Sequence, residues 1–227
     1  MSQIKNAIKK QSFLFLIQNF FFVVTFCFGL ANANSTKPTE TQLKQLEYFN
    51  QHTQSLTGTF TQTGKQASSG RFTFLRPGKF NWHVQAPYEQ RLISDGKQFT
   101  WYDADIEQVV IRPLENALED SPVALLFGHK KLIDLFELNN VQSNDGTKLV
   151  EWVEGKPKKN SAFYKTVRLS FEQNLPKRMV LEDNFGKKTQ IDFAQLKANI
   201  KINPQEFQFK IPASATVIKD GVNISKP

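Results

Sequence analysis

The side chains able to do bond-making chemistry are few in this chain, and their spacing is wrong for it. Three histidines occur, His52, His83 and His129, and none has a second metal ligand at helical or loop spacing. An imidazole without such partners neither holds a metal nor relays protons, so each is expected to face solvent. No G-x-S-x-G or H-E-x-x-H run is present, so neither a nucleophile elbow nor a zinc-protease helix is signalled. Gly186-Lys187-Lys188-Thr189 ends like a phosphate loop, yet position 181 is Leu where that loop needs Gly. Glu182 and Asp183 are adjacent, which puts two carboxylates on opposite faces of a strand rather than together. Nothing in this set asks for an enzyme, a cofactor or a metal.

The N-terminus bears on the compartment. Lys5, Lys9 and Lys10 precede an apolar run from Phe13 to Leu30, interrupted only by Gln18-Asn19, and Ala31-Asn32-Ala33 follows. A positive segment, an apolar segment and a small-x-small site form a cleavable export signal. A membrane anchor is the rival reading; the amide pair, the cleavage pattern and the lack of basic residues just after the run speak against it. The expectation is residues 1–33 as a signal peptide and 34–227 as one mature domain in the periplasm. Cys27, the only cysteine, is preceded by Val24-Thr25-Phe26, too bulky for a lipid-attachment box. The mature chain then has no thiol and no disulfide, and is soluble rather than lipid-anchored. Losing the three lysines takes the formal charge from +8 to +5. That balance suits an anionic membrane surface or an acidic partner, and equally an ordinary solvated surface; nucleic acid is not expected outside the cytoplasm.

Periodicity then gives the elements. Thr39 and Gln42 have the spacing of a capping box, and Leu43, Leu46 and Phe49 recur at helical intervals. From Leu56 the period drops to two. Lys79-Phe80-Asn81-Trp82-His83-Val84-Gln85 alternates without a fault, so Phe80, Trp82 and Val84 share one face. Asp95-Gly96 is a hairpin signal between strands at 91–94 and 98–102. Further strands are expected at 106–111, 148–153, 164–171, 177–182 and 188–193. Turns fall at Asp145-Gly146, Asn174-Leu175-Pro176 and Asn184-Phe185-Gly186. Short adjacent strands joined by tight turns make an antiparallel meander. It is broken between Arg112-Pro113 and Asn139. There Asp120 or Ser121 caps a short helix containing Val123, Leu125, Leu126 and Phe127, Gly128 stops it, and a second helical turn follows at 132–136. The expected fold is α+β, mainly β: one curved antiparallel sheet forming an incomplete barrel with lid helices over the opening. A plain α+β core is the simpler alternative.

Rings are what the chain has in abundance. Fourteen Phe and three Trp remain after residue 33. Phe80, Trp82, Phe99 and Trp101 fall on one alternating strand face. Any one of these rings is most simply part of a plain aromatic core; as a set, large rings on a concave sheet make a rigid apolar wall of the kind that takes acyl chains.

The run Arg76-Pro77-Gly78-Lys79-Phe80-Asn81-Trp82 resembles the Arg-Pro-x-x-Phe-x-Trp stretch of the LolA family of periplasmic lipoprotein carriers. The resemblance continues in order through Ser94-Asp95-Gly96-Lys97, Trp101-Tyr102, Glu107-Gln108, Asp120-Ser121-Pro122 and Phe207-Gln208-Phe209, with Pro212 and Val217. It implies a half-closed barrel with a helical lid over a hydrophobic cavity. It also implies a monomeric carrier that takes lipoproteins from an inner-membrane ATP-driven transporter to an outer-membrane lipoprotein receptor. By the same resemblance Arg76 falls on a lid-latching arginine, Phe80 on a cavity aromatic and residues 122–127 on a lid helix. The expected ligand-binding set is Arg76, Phe80, Trp82, Val84, Leu92, Phe99, Trp101, Leu125 and Leu126, with no catalytic residue, metal or cofactor. A lipid-binding or lipoprotein-sensing module on the same fold is the alternative.

Overall fold

Alternation from Leu56 onward builds a single thirteen-stranded sheet in a computed structural model of the chain. The structure describes residues 41–64, 66–117, 126, 132–144, 149–158, 164–219 and 222–223. All of them belong to one compact unit, Ser35–Pro227. In chain order the elements are α1 (Thr41–His52), β1 (Ser55–Thr63), β2 (Ser68–Leu75), β3 (Lys79–Ala86), β4 (Gln90–Asp95), β5 (Gln98–Asp103) and β6 (Gln108–Pro113). Short helical turns at Leu114–Ala117 and Leu132–Leu135 follow. Then come β7 (Phe136–Asn144), β8 (Leu149–Pro157), β9 (Thr166–Glu172), β10 (Leu175–Glu182) and β11 (Lys188–Ala198). A 3-10 turn at Pro204–Phe207 leads to β12 (Thr216–Lys219) and β13 (Val222–Asn223). Strand order is β13-β12-β6-β5-β4-β3-β2-β1-β11-β10-β9-β8-β7, so the sheet has two edges and is curved but not closed into a barrel.

Two meanders are joined where β1 pairs β11 across a long stretch of chain. The expected hairpin forms at Asp95-Gly96, where Asp95 Oδ1 accepts the N–H groups of Lys97 and Gln98, each at 2.8 Å. Three local expectations shift. The strand expected from Ile106 starts at Gln108, because Glu107 takes a positive φ of 47° and leaves Ile106 exposed in the turn. The turn expected at 174–176 is one residue earlier: Gln173 and Asn174 are left-handed. Pro176 sits inside β10, where a register shift follows it because it has no N–H for the ladder. Finally, the meander is not wholly antiparallel, since β12 returns to pair β6 in parallel.

The convex and concave faces are sealed by different segments. On the convex face the C-terminal stretch lies across β3 to β6. Phe207 is buried there, Phe209 packs 5.1 Å from Tyr102, and Asn81 Nδ2 donates to Glu206 O at 2.9 Å. On the concave face α1 packs on β7 to β10, with Leu46 and Phe49 turned into the core. Gln42, the residue expected to complete a capping box, reaches β9, accepting the Phe171 N–H at 2.8 Å and donating to Phe171 O at 3.5 Å. It fills the position opposite Phe171, because β8 and β9 pair only as far as Val153 and Leu169. The orphan Leu43 N–H goes to Asn140 Oδ1 on β7 at 3.0 Å. Thr39 lies outside the described residues.

Close packing of β2 on β3 depends on Gly70. A Cβ there would lie 1.9 Å from the His83 carbonyl oxygen and 2.9 Å from the Phe60 ring. Gly70→Ala is therefore expected to push the strands apart and destabilise the protein by about 1–3 kcal/mol, read as a lower urea midpoint. An unchanged midpoint would show that the sheet absorbs the methyl without strain.

Candidate functional site

Register carries the spaced rings of the sequence into two rows across the concave face. One row runs Leu56, Phe74, Phe80, Ser94, Phe99, Arg112. The next runs Gly58, Phe72, Trp82, Leu92, Trp101, Val110. Val84 begins a third row with Gly70 and Gln90. The rings interlock. Trp82 stacks on Phe60 with centroids 3.8 Å apart and on Phe72 at 5.5 Å, and Phe80 lies 6.2 Å from Phe99. Phe193 closes edge-on against Phe72 and Trp82. Offset and edge-on pairs of this kind add roughly 0.5–1.5 kcal/mol each beyond area burial.

The wall is covered. Phe80 is 1 % exposed and Trp101 6 %, and Leu126 enters the same apolar cluster at 2 %. Thus Phe80, Trp82, Phe99, Trp101 and Leu126 meet in one cluster, with Val84 and Leu92 packed against its margin. Leu125 lies outside the described residues, as does the rest of the expected helix at 122–127. Leu114 joins the cluster, and α1 reaches the margin of the wall through Phe49, 6.0 Å from Phe74. The wall is thus packed by the protein's own apolar side chains, and an apolar ligand taken up there would displace them.

Arg76 stands at the end of β2 where α1 meets the sheet. Its Nε donates to Thr53 O at 2.9 Å and its Nη2 to Asn50 Oδ1 at 3.4 Å. The guanidinium carbon sits 5.3 Å from the ring centroids of both Phe49 and Phe74. Burial lowers its pKa from the usual arginine value, and a guanidinium still keeps its charge in a protein. The described partners are carbonyl and amide oxygens of the α1 C-terminus, where orphan carbonyls and the negative end of the helix dipole favour a cation. A second residue grips the same end. Asn199, with a positive φ of 55°, donates from Nδ2 to His52 O at 2.9 Å and accepts the Gln54 N–H at 2.8 Å. Neither Asn199 nor the wall residues Phe60, Phe72, Phe74 and Phe193 stood out in the sequence. For Phe72 and Phe74 the i, i+2 spacing was the available clue.

The histidines separate. His52 stacks on Tyr48 at the surface, while His83 is not solvent-facing: it is buried on the convex face with Nε2 3.0 Å from Glu89 Oε1. Its strand neighbours Arg71 and Arg91 can cover it with their long stems. Burial first, then Arg91, lowers its pKa against the pull of Glu89. His129 lies outside the described residues. Among the described residues no group of three or more His, Cys, Asp or Glu is placed to hold a metal ion, and no helix is long and apolar enough to cross a membrane.

The chain is similar to known proteins over most of its length. The chain is 41 % identical over 182 residues to an outer-membrane lipoprotein carrier protein of Bordetella avium, covering 77 % of this chain and 86 % of that one. It is 35 % identical over 209 residues to the protein of the same description from Cupriavidus pinatubonensis, covering 87 % and 97 %. Among solved structures, an uncharacterized conserved protein from Thermus thermophilus has the same fold, with a TM-score of 0.52 at 14 % identity over 78 % of this chain and 96 % of that one. The family model described as outer membrane lipoprotein carrier protein LolA matches residues 51–210, a span containing the whole aromatic wall, Arg76 and Asn199, and the chain belongs to the LolA family.

Proposed function

We propose that this chain is a periplasmic carrier that covers the acyl chains of lipoproteins. It takes them from an inner-membrane ATP-driven transporter and hands them to an outer-membrane lipoprotein receptor. The supporting observation is the two-row aromatic wall packed against Leu126, with Phe49 of α1 set 6.0 Å from Phe74 at its margin. Three acyl chains hold about 45 methylenes, and at roughly 0.8 kcal/mol each their exposure costs tens of kcal/mol. A lipoprotein therefore crosses an aqueous space only under cover. A greasy cavity left open would aggregate and would hold cargo too tightly to release. Self-filling addresses both, because closure competes with cargo and lowers apparent affinity. In this reading Phe80, Trp82, Val84, Leu92, Phe99, Trp101, Leu125 and Leu126 meet acyl chains, and Arg76 sets the closed state. Residues 1–33 are removed on export and 34–227 work as one monomeric domain.

The test is recovery of the protein from the soluble envelope fraction and mass spectrometry of what accompanies it. The expected result is an N-terminus at Asn34 and co-purifying triacylated protein that transfers to receptor. Free lipid alone would point to the lipid-binding alternative, and Met1 retained in the membrane would overturn the export reading.

A further inference from the structure

The hairpin joining β10 to β11 holds an apolar ring away from every core the fold builds. Phe185 is 83 % exposed, and the turn beneath it is tightly bonded. Asp183 Oδ1 accepts the N–H groups of Phe185 and Lys187, both at 2.9 Å. Gly186 N donates to Asp183 O at 3.0 Å and Asp183 N to Lys187 O at 2.9 Å. Gly186 has a φ of 80°, which the turn needs and a residue with a Cβ resists. A Cβ built at Gly186 would meet nothing within 4 Å, so the tip stands clear of the rest of the molecule. A bonded, protruding turn that presents a phenyl ring to water has a shape suited to entering another phase.

Its charges suit one phase in particular. Lys187 and Lys188 follow the ring after Gly186, and Lys165 lies beside the base of the hairpin through its backbone bond to Glu182 O. Lys165 and Lys188 reach Glu182 only at 3.9 Å and 4.0 Å. Exposed pairs that long hold side chains weakly, leaving the ammonium groups able to swing toward an outside anion. An aromatic ring with adjacent lysines is the arrangement that settles at a lipid headgroup layer. A protein partner would need roughly 800 Å² of matching surface per side, far more than one hairpin tip presents. The β5–β6 turn carries Asp103, Asp105 and Glu107 and is six strands away from β10 in sheet order, so the contact is confined to the basic side.

We propose that the β10–β11 tip is a contact point for an anionic phospholipid surface, with Phe185 entering the headgroup layer and Lys187 and Lys188 meeting lipid phosphates. This is independent of whether the cavity carries lipoproteins. The experiment uses empty protein from the soluble envelope fraction and measures flotation with two kinds of vesicle. One is phosphatidylcholine alone, the other phosphatidylcholine mixed with phosphatidylglycerol. Binding is expected only to the mixed vesicles and should weaken as salt is raised. Lys187→Gln and Lys188→Gln should each lower the partition constant about fivefold, and Phe185→Ser about fivefold as its ring stays in water. All three positions are exposed, so the variants should melt like the parent. Absence of wild-type binding to the mixed vesicles, or equal binding by all variants, overturns the proposal. So does a Phe185→Ser protein that floats normally but hands cargo more slowly to purified receptor, which would assign the tip to a protein partner. Failure of lipoprotein to co-purify would sink the carrier reading and leave the vesicle result unaffected.

Discussion

Phe80→Glu should abolish lipoprotein binding. Phe80 sits between Phe74 and Ser94 in the inner row, and a glutamate there would place a carboxylate among rings and, on loading, among acyl chains. Burying that group without a partner costs several kcal/mol, partly relieved by protonation as its pKa rises. The empty protein should therefore melt earlier as well, which alone would not prove contact with cargo. Ile93→Glu separates the two effects. Ile93 is as buried as the wall residues but projects from the convex face one position before Ser94. A glutamate there carries a comparable folding penalty and leaves the cavity wall intact. At a temperature where both variants are folded by circular dichroism, Ile93→Glu should load lipoprotein normally and Phe80→Glu should not. Normal loading by folded Phe80→Glu would exclude this face as the acyl site.

The same residues show why the wall could be read in the sequence and the devices that hold its cover could not. Alternation is a local property, so Phe80, Trp82 and Val84 had to share a face once that segment was a strand. Asp95-Gly96 fixed the hairpin that brings Phe99 and Trp101 beside them. Closure is not local. Gln42 bonds Phe171 and Asn199 bonds His52, residues well over a hundred positions apart, and an amide carries no sign of its distant partner. Strand β7 was not among the expected strands because its polar residues are working ones: Asn140 faces inward to cap α1, which breaks the apolar alternation a strand is recognised by. His83 failed differently. Its side of the strand alternates as polar and is polar, but long neighbours and the Glu89 bridge close over it. Family resemblance singled out Arg76, which periodicity could not, as a residue that would latch the cover. The structure adds that its described partners are at the C-terminus of α1.

Arg76→Leu should leave acceptance of lipoprotein largely intact and slow its delivery. The substitution removes the bonds to Thr53 O and Asn50, leaving the carbonyl of buried Thr53 without its donor at a cost of about 1–3 kcal/mol. If those bonds exist only when α1 is closed over the wall, the open state gains about tenfold in population for each 1.4 kcal/mol lost. Leucine keeps apolar contact with Phe49 and Phe74, so the opened cavity stays hospitable to acyl chains and cargo is retained. Melting temperature alone cannot distinguish a latch from a structural brace, since either predicts a fall of some degrees. Asn199→Ala supplies the comparison. It frees the same helix end by removing the bonds to His52 O and Gln54 N, at a similar expected cost to the fold, yet leaves in place the guanidinium of Arg76 over Phe49 and Phe74. A latch that works through the arginine and its rings predicts that Arg76→Leu delays transfer to receptor more than Asn199→Ala at equal loss of stability. Arg76→Lys should fall between wild type and Arg76→Leu, because an ammonium keeps the charge but lacks the planar fork that reaches two oxygens at once. Loading each protein with the same lipoprotein and following transfer beside thermal melting decides it. Transfer rates that simply track melting temperature across all three variants would make Arg76 a brace for α1 and nothing more.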